Sequence, residues 1–450
     1  MNRYERYKDS GIPWLGEVPE HWEIIKNKYI LAFSKGLTIT KENLVDDGIP
    51  CVSYGEIHSK YGFEVNPEKH LLKCVSEEYL ENNDNAYLKN GDFVFADTSE
   101  DVKGSGNFTY LNSNLSVFAG YHTIVARPDL RKVLPRYLAY VFDSDAHRNQ
   151  IRAIVKGVKV FSITQAFLKN TFVWLPSLEE QTTIGHYLDT KLGEIDALID
   201  KQQTLLEKLA EQRTAVITHA VTKGLNPAAP MKKSGVEWLG SVPAHWDEGK
   251  LKNICSAFGR IGFRGYSTAD LVSEGEGPIT LSPSNIKNTN MDYEKCTYLS
   301  WEKYLESPEI MLHKNDIVIV KTGSSYGKVG FIDDLPTEAT INPQLLVIKR
   351  ININSKYLFY VLLSEIFQFQ INQNVIGSTI PTISESKILN FNTPYPSDIN
   401  EQITIADYLD QETAKIDRLC ETVNQTIGRL KEYRTALITQ AVTGKIKVTN

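Results

Sequence analysis

The sequence predicts an α+β fold built twice, with two globular domains separated by two long antiparallel helices and an internal pseudo-two-fold repeat. Three observations predict it. The segment SGIPWLGEVPEHW (Ser10 to Trp22) returns as SGVEWLGSVPAHW (Ser234 to Trp246), a shift of about half the 450 residues. A second block, PSLEEQTTIGHYLDTKLGEIDALID (Pro176 to Asp200), returns as PSDINEQITIADYLDQETAKIDRLC (Pro396 to Cys420). From each of these blocks onward, apolar residues recur at alternating steps of four and three, the spacing of a long helix with a partner. Self-similarity on this scale means one structural plan used twice, so the chain has the form of a covalent dimer.

Each half opens on the Trp-Leu-Gly motif, where Gly and Pro interrupt regular structure between the apolar anchors Trp14, Leu15, Val18 and Trp22. The tryptophans are expected to pin this segment to a core, with His21 and His245 as structural residues. Mixed sequence follows, in which short β-branched or aromatic runs such as Asp92-Phe-Val-Phe and Asp316-Ile-Val-Ile-Val alternate with Gly/Asn/Ser turns. Helical patches come later, around Arg136 to Val155 and Ser355 to Asn374. The halves match only in islands: Lys89-Asn90-Gly91-Asp92 with Lys314-Asn315-Asp316, Tyr137-Leu138 with Tyr357-Leu358, and Gly157 with Gly377. One frame therefore carries two different surfaces.

The long helices are expected over residues 176–222 and 396–446, between and after globular domains at 1–175 and 234–395. In the first helix the helix-pair stripe is Ile184, Leu188, Ile195, Leu198, Leu205 and Leu209, continuing to Val216; in the second it is Ile405, Leu409, Ile416, Leu419 and Leu430, continuing to Leu437. Lys191, Gln202 and Gln212 interrupt the first stripe, and Glu412, Thr426 and Tyr433 the second. Lys191 with Glu412 is either a pairing device or a surface feature. A helix of about 45 residues runs roughly 65 Å and needs a partner for its stripe. The duplicated chain supplies one, and a two-fold relation makes the pair antiparallel with the globular parts at opposite ends. Residues 223–233, beginning Lys-Gly-Leu-Asn-Pro, end the first helix and form the linker.

Composition narrows the function classes. With 42% hydrophobic and 23% charged residues the chain is a globular multidomain protein. It has neither a run of about 18 apolar residues nor an apolar N-terminal stretch of signal-peptide type, so a cytoplasmic protein with no membrane partner is expected. Five scattered cysteines without CxxC spacing read as reduced and structural. The net charge of −6 hides a local imbalance. Arg127 to Lys169 carries nine Lys/Arg against three Asp/Glu, whereas Glu42 to Asp101 carries four against fourteen. Such a basic segment is either a phosphate-binding surface or a solvated face.

Catalytic constellations are missing. There is no GxxxxGK[ST] loop and no HExxH helix. Lys103-Gly-Ser-Gly-Asn lacks the strand-turn-helix spacing of a dinucleotide site. The nearest approach to the Asn-Pro-Pro-Tyr element of an amino-methyltransferase, Asn342-Pro343-Gln344, lacks the second proline and the aromatic. No catalytic residue, metal or cofactor is expected. What remains are turns that fall at matched places in the two halves and differ in residue type. Hydroxyls, glycines and lysines in such turns suit phosphate and base-edge contacts. The DNA-binding candidates of the first half are Tyr54, Lys103, Ser105, Arg148, Arg152, Lys156, Gly157 and Lys159. Those of the second are Ser282, Ser284, Asn285, Lys321, Thr322, Ser324, Ser325, Tyr326, Lys328, Gly377, Ser378 and Thr379.

At this point the sequence resembles the specificity subunits of type I restriction-modification enzymes. The likeness is carried by WLGEVPEHW and WLGSVPAHW, by LPSLEEQ (Leu175 to Gln181) with YPSDINEQ (Tyr395 to Gln402), and by RTAVITHAV (Arg213 to Val221) with RTALITQAV (Arg434 to Val442). These cover both ends of both halves in order. The resemblance implies a non-catalytic subunit whose two target-recognition domains each read half of a bipartite site in double-stranded DNA, with the helix pair holding the gap. It also implies two methyltransferase subunits docked on the helices and conserved segments, with restriction subunits completing the nuclease. Half-sites on one face of B-DNA lie about 34 Å apart, within reach of a two-helix spacer. The rival reading is a pseudo-dimeric scaffold that binds only protein through a coiled-coil platform; a third, an enzyme with an unrecognised site, requires turnover by the isolated chain.

Overall fold

Strand-forming runs buried on both faces organise each half. The computed structural model describes residues 3 to 448 apart from Lys156, Val158, Glu237, Asn288 and Ser378. It comprises two compact units: unit 1 is Met1–Gln202 with Gln425–Asn450, and unit 2 is Gln203–Asn424. Both long helices, Leu178–Lys223 and Ile399–Val442, are shared between the units.

In unit 1 a five-stranded sheet has the order Leu31–Lys35, Thr123–Pro128, Phe93–Ala96, Phe108–Leu111, Phe63–Val65, antiparallel except at its last pair. Every residue of Phe93–Ala96 is buried, as expected for a strand covered on both sides. Its period of two divides them: Phe93 and Phe95 join the core made with the helices Pro135–Asp143 and Asp145–Ile154, whereas Val94 and Ala96 face a second core beneath the four-stranded sheet Lys73–Val75, Ile49–Val52, Val117–Ala119, Tyr87–Leu88. Unit 2 repeats the plan. Ile317 and Ile319 face its helices, and Val318 and Val320 face the sheet formed with Ile279–Leu281 and Ala339–Ile341.

The two repeated sequence blocks exist to hold each other. Trp22 and Trp246 are fully buried, and their indole N–H groups donate to Glu180 (3.2 Å) and Glu401 (3.0 Å). His21 and His245 lie against the same carboxylates at 3.0 and 2.8 Å. The next residue in each block caps a helix of its own unit. Gln181 Oε1 accepts the Leu134 N–H (2.8 Å), and Gln402 Oε1 accepts that of Asn354 (2.7 Å). Satisfying buried donors in this way is why Glu-Gln recurs while its surroundings vary. Trp14 and Trp238 behave differently from the expectation of anchoring: they are 47% and 39% exposed, and only the second tryptophan of each motif enters the core.

Within each unit the start of one long helix runs opposite to the end of the other. In unit 1, Trp174, just before the first helix, donates to the Val442 carbonyl at the end of the second, while farther along Arg434 meets Asp196 at 3.1 Å. In unit 2 the Tyr357 hydroxyl reaches both Val221 O and Pro394 O, and Arg213 pairs with Asp417 farther along.

The buried stripe corrects the expected one. Ile184, Leu188, Ile195, Leu209, Ile405, Leu409 and Ile416 are buried and Leu430 packs on the unit 1 core, but Leu198, Leu205 and Leu419 are exposed. The inward positions alternating with Leu188, Ile195, Gln202 and Leu209 are Leu192, Ile199 and Leu206; in the second helix Thr413, Cys420 and Ile427 take these places. Adjacent apolar residues at 198–199 and 205–206 stand about 100° apart on a helix, so sequence period offers both and packing selects one. Lys191 and Glu412 each pair within their own helix, with Glu194 and Lys415.

Candidate nucleic-acid interface

In unit 1 the strand Phe93–Ala96 delivers Asp97, whose N–H donates to His122 O (3.0 Å) and whose carbonyl accepts the Ile163 N–H (2.8 Å). Thr98–Ser99 then pairs with Phe161–Ser162. The strand Ile49–Val52 ends at Ser53, whose N–H donates to Glu56 Oε2 (3.1 Å) and starts the helix Tyr54–Ser59. Gly120 N–H closes this corner on Val52 O (2.8 Å). The turns beginning at Ser53 and Asp97 and the strand Phe161–Ser162 thus converge with the turn at residues 120–122.

Unit 2 draws the same frame with other residues. Lys321 N–H donates to Gln344 O (2.8 Å), Ile383 N–H to Lys321 O (2.9 Å), and Asn342 N–H to Leu281 O (2.8 Å). Ser282 N–H donates to Asn285 Oδ1 (2.9 Å), and Thr322 bridges to Thr382. Glycine recurs where no side chain fits. A Cβ on Gly157 would stand 2.2 Å from Val160 O, and on Gly377, at φ +90°, 2.7 Å from Ile380 O.

Several candidate residues are occupied inside this frame. Ser105 is buried with its hydroxyl donating to Asp101 O (3.3 Å). Arg148 bridges Asp143 (3.0 Å) and Asn107 (2.9 Å), and Arg152 donates to Lys103 O (3.3 Å) beside Asp145 (3.7 Å). Asn285 is buried, with its amide donating to Asp292 O and Lys295 O, and Lys321 is paired with Glu385 at 3.1 Å. Ser282 is held by Asn285 and Ser284, and Tyr326 donates to Asn372 (3.2 Å). The candidates with exposed side chains are Lys103, Lys159, Ser284, Ser324 and Thr379; Tyr54, Thr322, Ser325 and Lys328 are half-buried, and Gly157 and Gly377 are exposed backbone. Lys156 and Ser378 lie outside the described residues.

Part of the basic excess of Arg127 to Lys169 is internal. Arg127 donates to the buried Asp92 (2.8 Å), and Arg136 meets Glu64 (2.5 Å) and Asp189 (2.6 Å), so these two cations are neutralised by carboxylates distant in sequence. Burial opposes ionisation of Glu64, but Asn112 and Arg136 outweigh it and hold the carboxyl below its ordinary value. Burial, reinforced by Arg148, depresses the Arg152 guanidinium.

Sequence reasoning passed over the turn at 120–122 and the aromatic group it completes. Tyr54 lies edge-on to Tyr121 (5.6 Å), His122 (5.4 Å) and His58 (6.2 Å). Clefts of about 520 and 580 Å³ lie to either side of this group. The available signal was Gly120-Tyr-His following a strand opposite Asn342-Pro-Gln.

This duplicated frame has counterparts in known proteins. Residues 19–208 and 243–429 match the family model described as the type I restriction modification DNA specificity domain. The chain belongs to this family. Among the family's curated members, the type I restriction enzyme EcoDI specificity subunit of Escherichia coli is 33% identical over 375 residues, 77% of each chain. The putative type I restriction enzyme MjaX specificity subunit of Methanocaldococcus jannaschii is 25% identical over 99% of this chain and 97% of its own. A solved structure reported under complex assembly and conformational transition of the type I R-M system superposes with TM-score 0.68 at 16% identity, covering 95% of this specificity subunit and 99% of that chain. No helix among the described residues is long and apolar enough to cross a membrane.

Proposed function

We propose that this specificity subunit is a non-catalytic DNA reader in which each globular domain recognises one half of a bipartite double-stranded site. The observation that carries the reading is the shared turn frame: the backbone bonds of Asp97, His122, Ile163 and Gly120 recur at Lys321, Gln344, Ile383 and Asn342, while the side chains differ at every pair but the buried isoleucines. A protein that reads two different half-sites needs a constant scaffold with variable contacts. On this reading, residues 1–175 and 234–395 are the two target-recognition domains, the helices 176–222 and 396–446 set the unread gap, and two methyltransferase subunits dock on the helices and repeated segments. Restriction subunits add the nuclease, and the complex works in the cytoplasm. Lys103, Lys159, Ser284, Ser324 and Thr379 are the candidate side chains most exposed for backbone and base contacts. The test is to express the chain with its methyltransferase subunits and map the methylated positions of the host genome. The expected result is one two-part, non-palindromic motif. Absence of sequence-dependent DNA retention by the assembled complex supports the protein-only scaffold instead.

A further inference from the structure

The turns at residues 120–122 and 342–344 hold the same place in the two units and present opposite hydrogen-bonding chemistry. His122 has a left-handed backbone, φ 55°, uncommon for a residue with a side chain. Its Nδ1 lies 3.2 Å from Asp97 Oδ1, and its side chain is 57% exposed. A carboxylate only accepts, so Nδ1 carries the hydrogen, and in that tautomer Nε2 is an acceptor. Tyr54 packs edge-on at 5.4 Å and limits the tilt of the ring. In unit 2 the place of His122 is taken by Gln344, which is exposed, and that of Asp97 by Lys321, which turns to Glu385. Gln344 Oε1 accepts from Asn342 Nδ2 (3.2 Å), which orients the amide and leaves its N–H groups as donors.

We propose that these two residues are specificity-determining positions. His122 accepts a hydrogen bond from the exocyclic amine of an adenine or cytosine in the first half-site. Gln344 donates to an acceptor on a base edge in the second. Asp97 is a positioning residue that fixes the His122 tautomer. In the major groove those amines and acceptors are what distinguish base pairs, so an orientated acceptor in one domain and an orientated donor in the other read different bases from one frame. This assignment rests on the DNA-reading function proposed above.

The test uses the complete methyltransferase complex, with the motif of the unaltered complex mapped first. His122→Phe keeps the ring against Tyr54 and removes the acceptor; Gln344→Met removes the donors in the other domain. Each variant is expected to lose discrimination at one base pair of one half-site by about tenfold, leaving the other half-site unchanged. Asp97→Asn is expected to relax the same base pair as His122→Phe, and the double variant to be no worse than His122→Phe alone. An unchanged motif with both His122→Phe and Gln344→Met overturns the assignment. Where a variant complex stays folded by thermal melting but methylates nothing, competition binding with duplexes altered one base pair at a time decides. Flattened discrimination at one position supports the assignment, and full discrimination at every position, or equal weakening for all sequences, overturns it. If Phe at 122 unfolds unit 1, Gln344→Met decides alone. If the unaltered complex yields no motif, the DNA-reading function fails rather than this assignment.

Discussion

His147 gives unit 1 an acid sensitivity that unit 2 lacks. It is fully buried beside the Phe142 ring (4.7 Å), and neither ring nitrogen has a hydrogen-bond partner among the described residues. Burial, reinforced by Arg148, pushes the imidazole down to about 3, against about 6.5 in an unfolded chain. The folded value is the depressed one, so the unfolded chain takes up the proton first as pH falls. Stability is intact above about pH 6.5 and declines by about 1.4 kcal/mol per unit down to about 3. At pH 5 the loss is about 2 kcal/mol, which for a unit of some 230 residues lowers Tm by about 4–8 °C. Unit 2 carries Phe367 at the corresponding place, buried in its core. His147→Phe is therefore expected to remove this part of the pH dependence without creating a cavity. Calorimetry of the full chain and the variant at pH 7 and pH 5 checks it. Parallel losses of Tm in the two proteins would refute the reasoning.

Five further outcomes are expected. Glu180→Ala strands the buried indole N–H of Trp22 and is expected to cost unit 1 about 2–4 kcal/mol in urea unfolding. Glu401→Ala is expected to cost unit 2 about 1 kcal/mol less, because Glu180 also accepts the Tyr4 hydroxyl. Gly377→Ala, forced into φ +90° against Ile380 O, is expected to cost more than about 1 kcal/mol and to raise hydrogen exchange at Ile376 and Thr382, which bridge across that turn. A four-residue insertion beside Thr218 is expected to loosen unit 2, since Thr218 Oγ1 accepts the Glu365 N–H (3.0 Å) and Ile217 and Val221 lie in the core. The same insertion after the exposed Gln203 adds about 6 Å of helix and is expected to lengthen the unread gap with both half-sites intact, as methylation mapping reads directly.

The parts of the fold legible in the sequence were those governed by local rules. Strands such as Ile317–Val320 announce themselves as apolar β-branched runs, and the long helices by their period. The inward row was legible only in part, because Leu198 beside Ile199 and Leu205 beside Leu206 satisfy the period equally and only packing separates them. Part of the charge imbalance along the chain has a related origin. Arg127 and Arg136 look like a basic surface along the chain, yet their partners Asp92 and Glu64 lie tens of residues upstream and meet them only in the folded sheet. The candidate turns were found at Tyr54, Lys103 and Thr322 because polar residues recur after matched strands. The turn at His122 was missed because its role depends on Asp97, 25 residues away, and on a backbone conformation that sequence does not declare.

The most direct test of the two-reader account is to exchange residues 25 to 170 for those of another family member and map methylation with the native methyltransferase subunits. The account predicts a motif altered in one half, with the other half and the gap retained. A motif altered in both halves, or in neither, would contradict it.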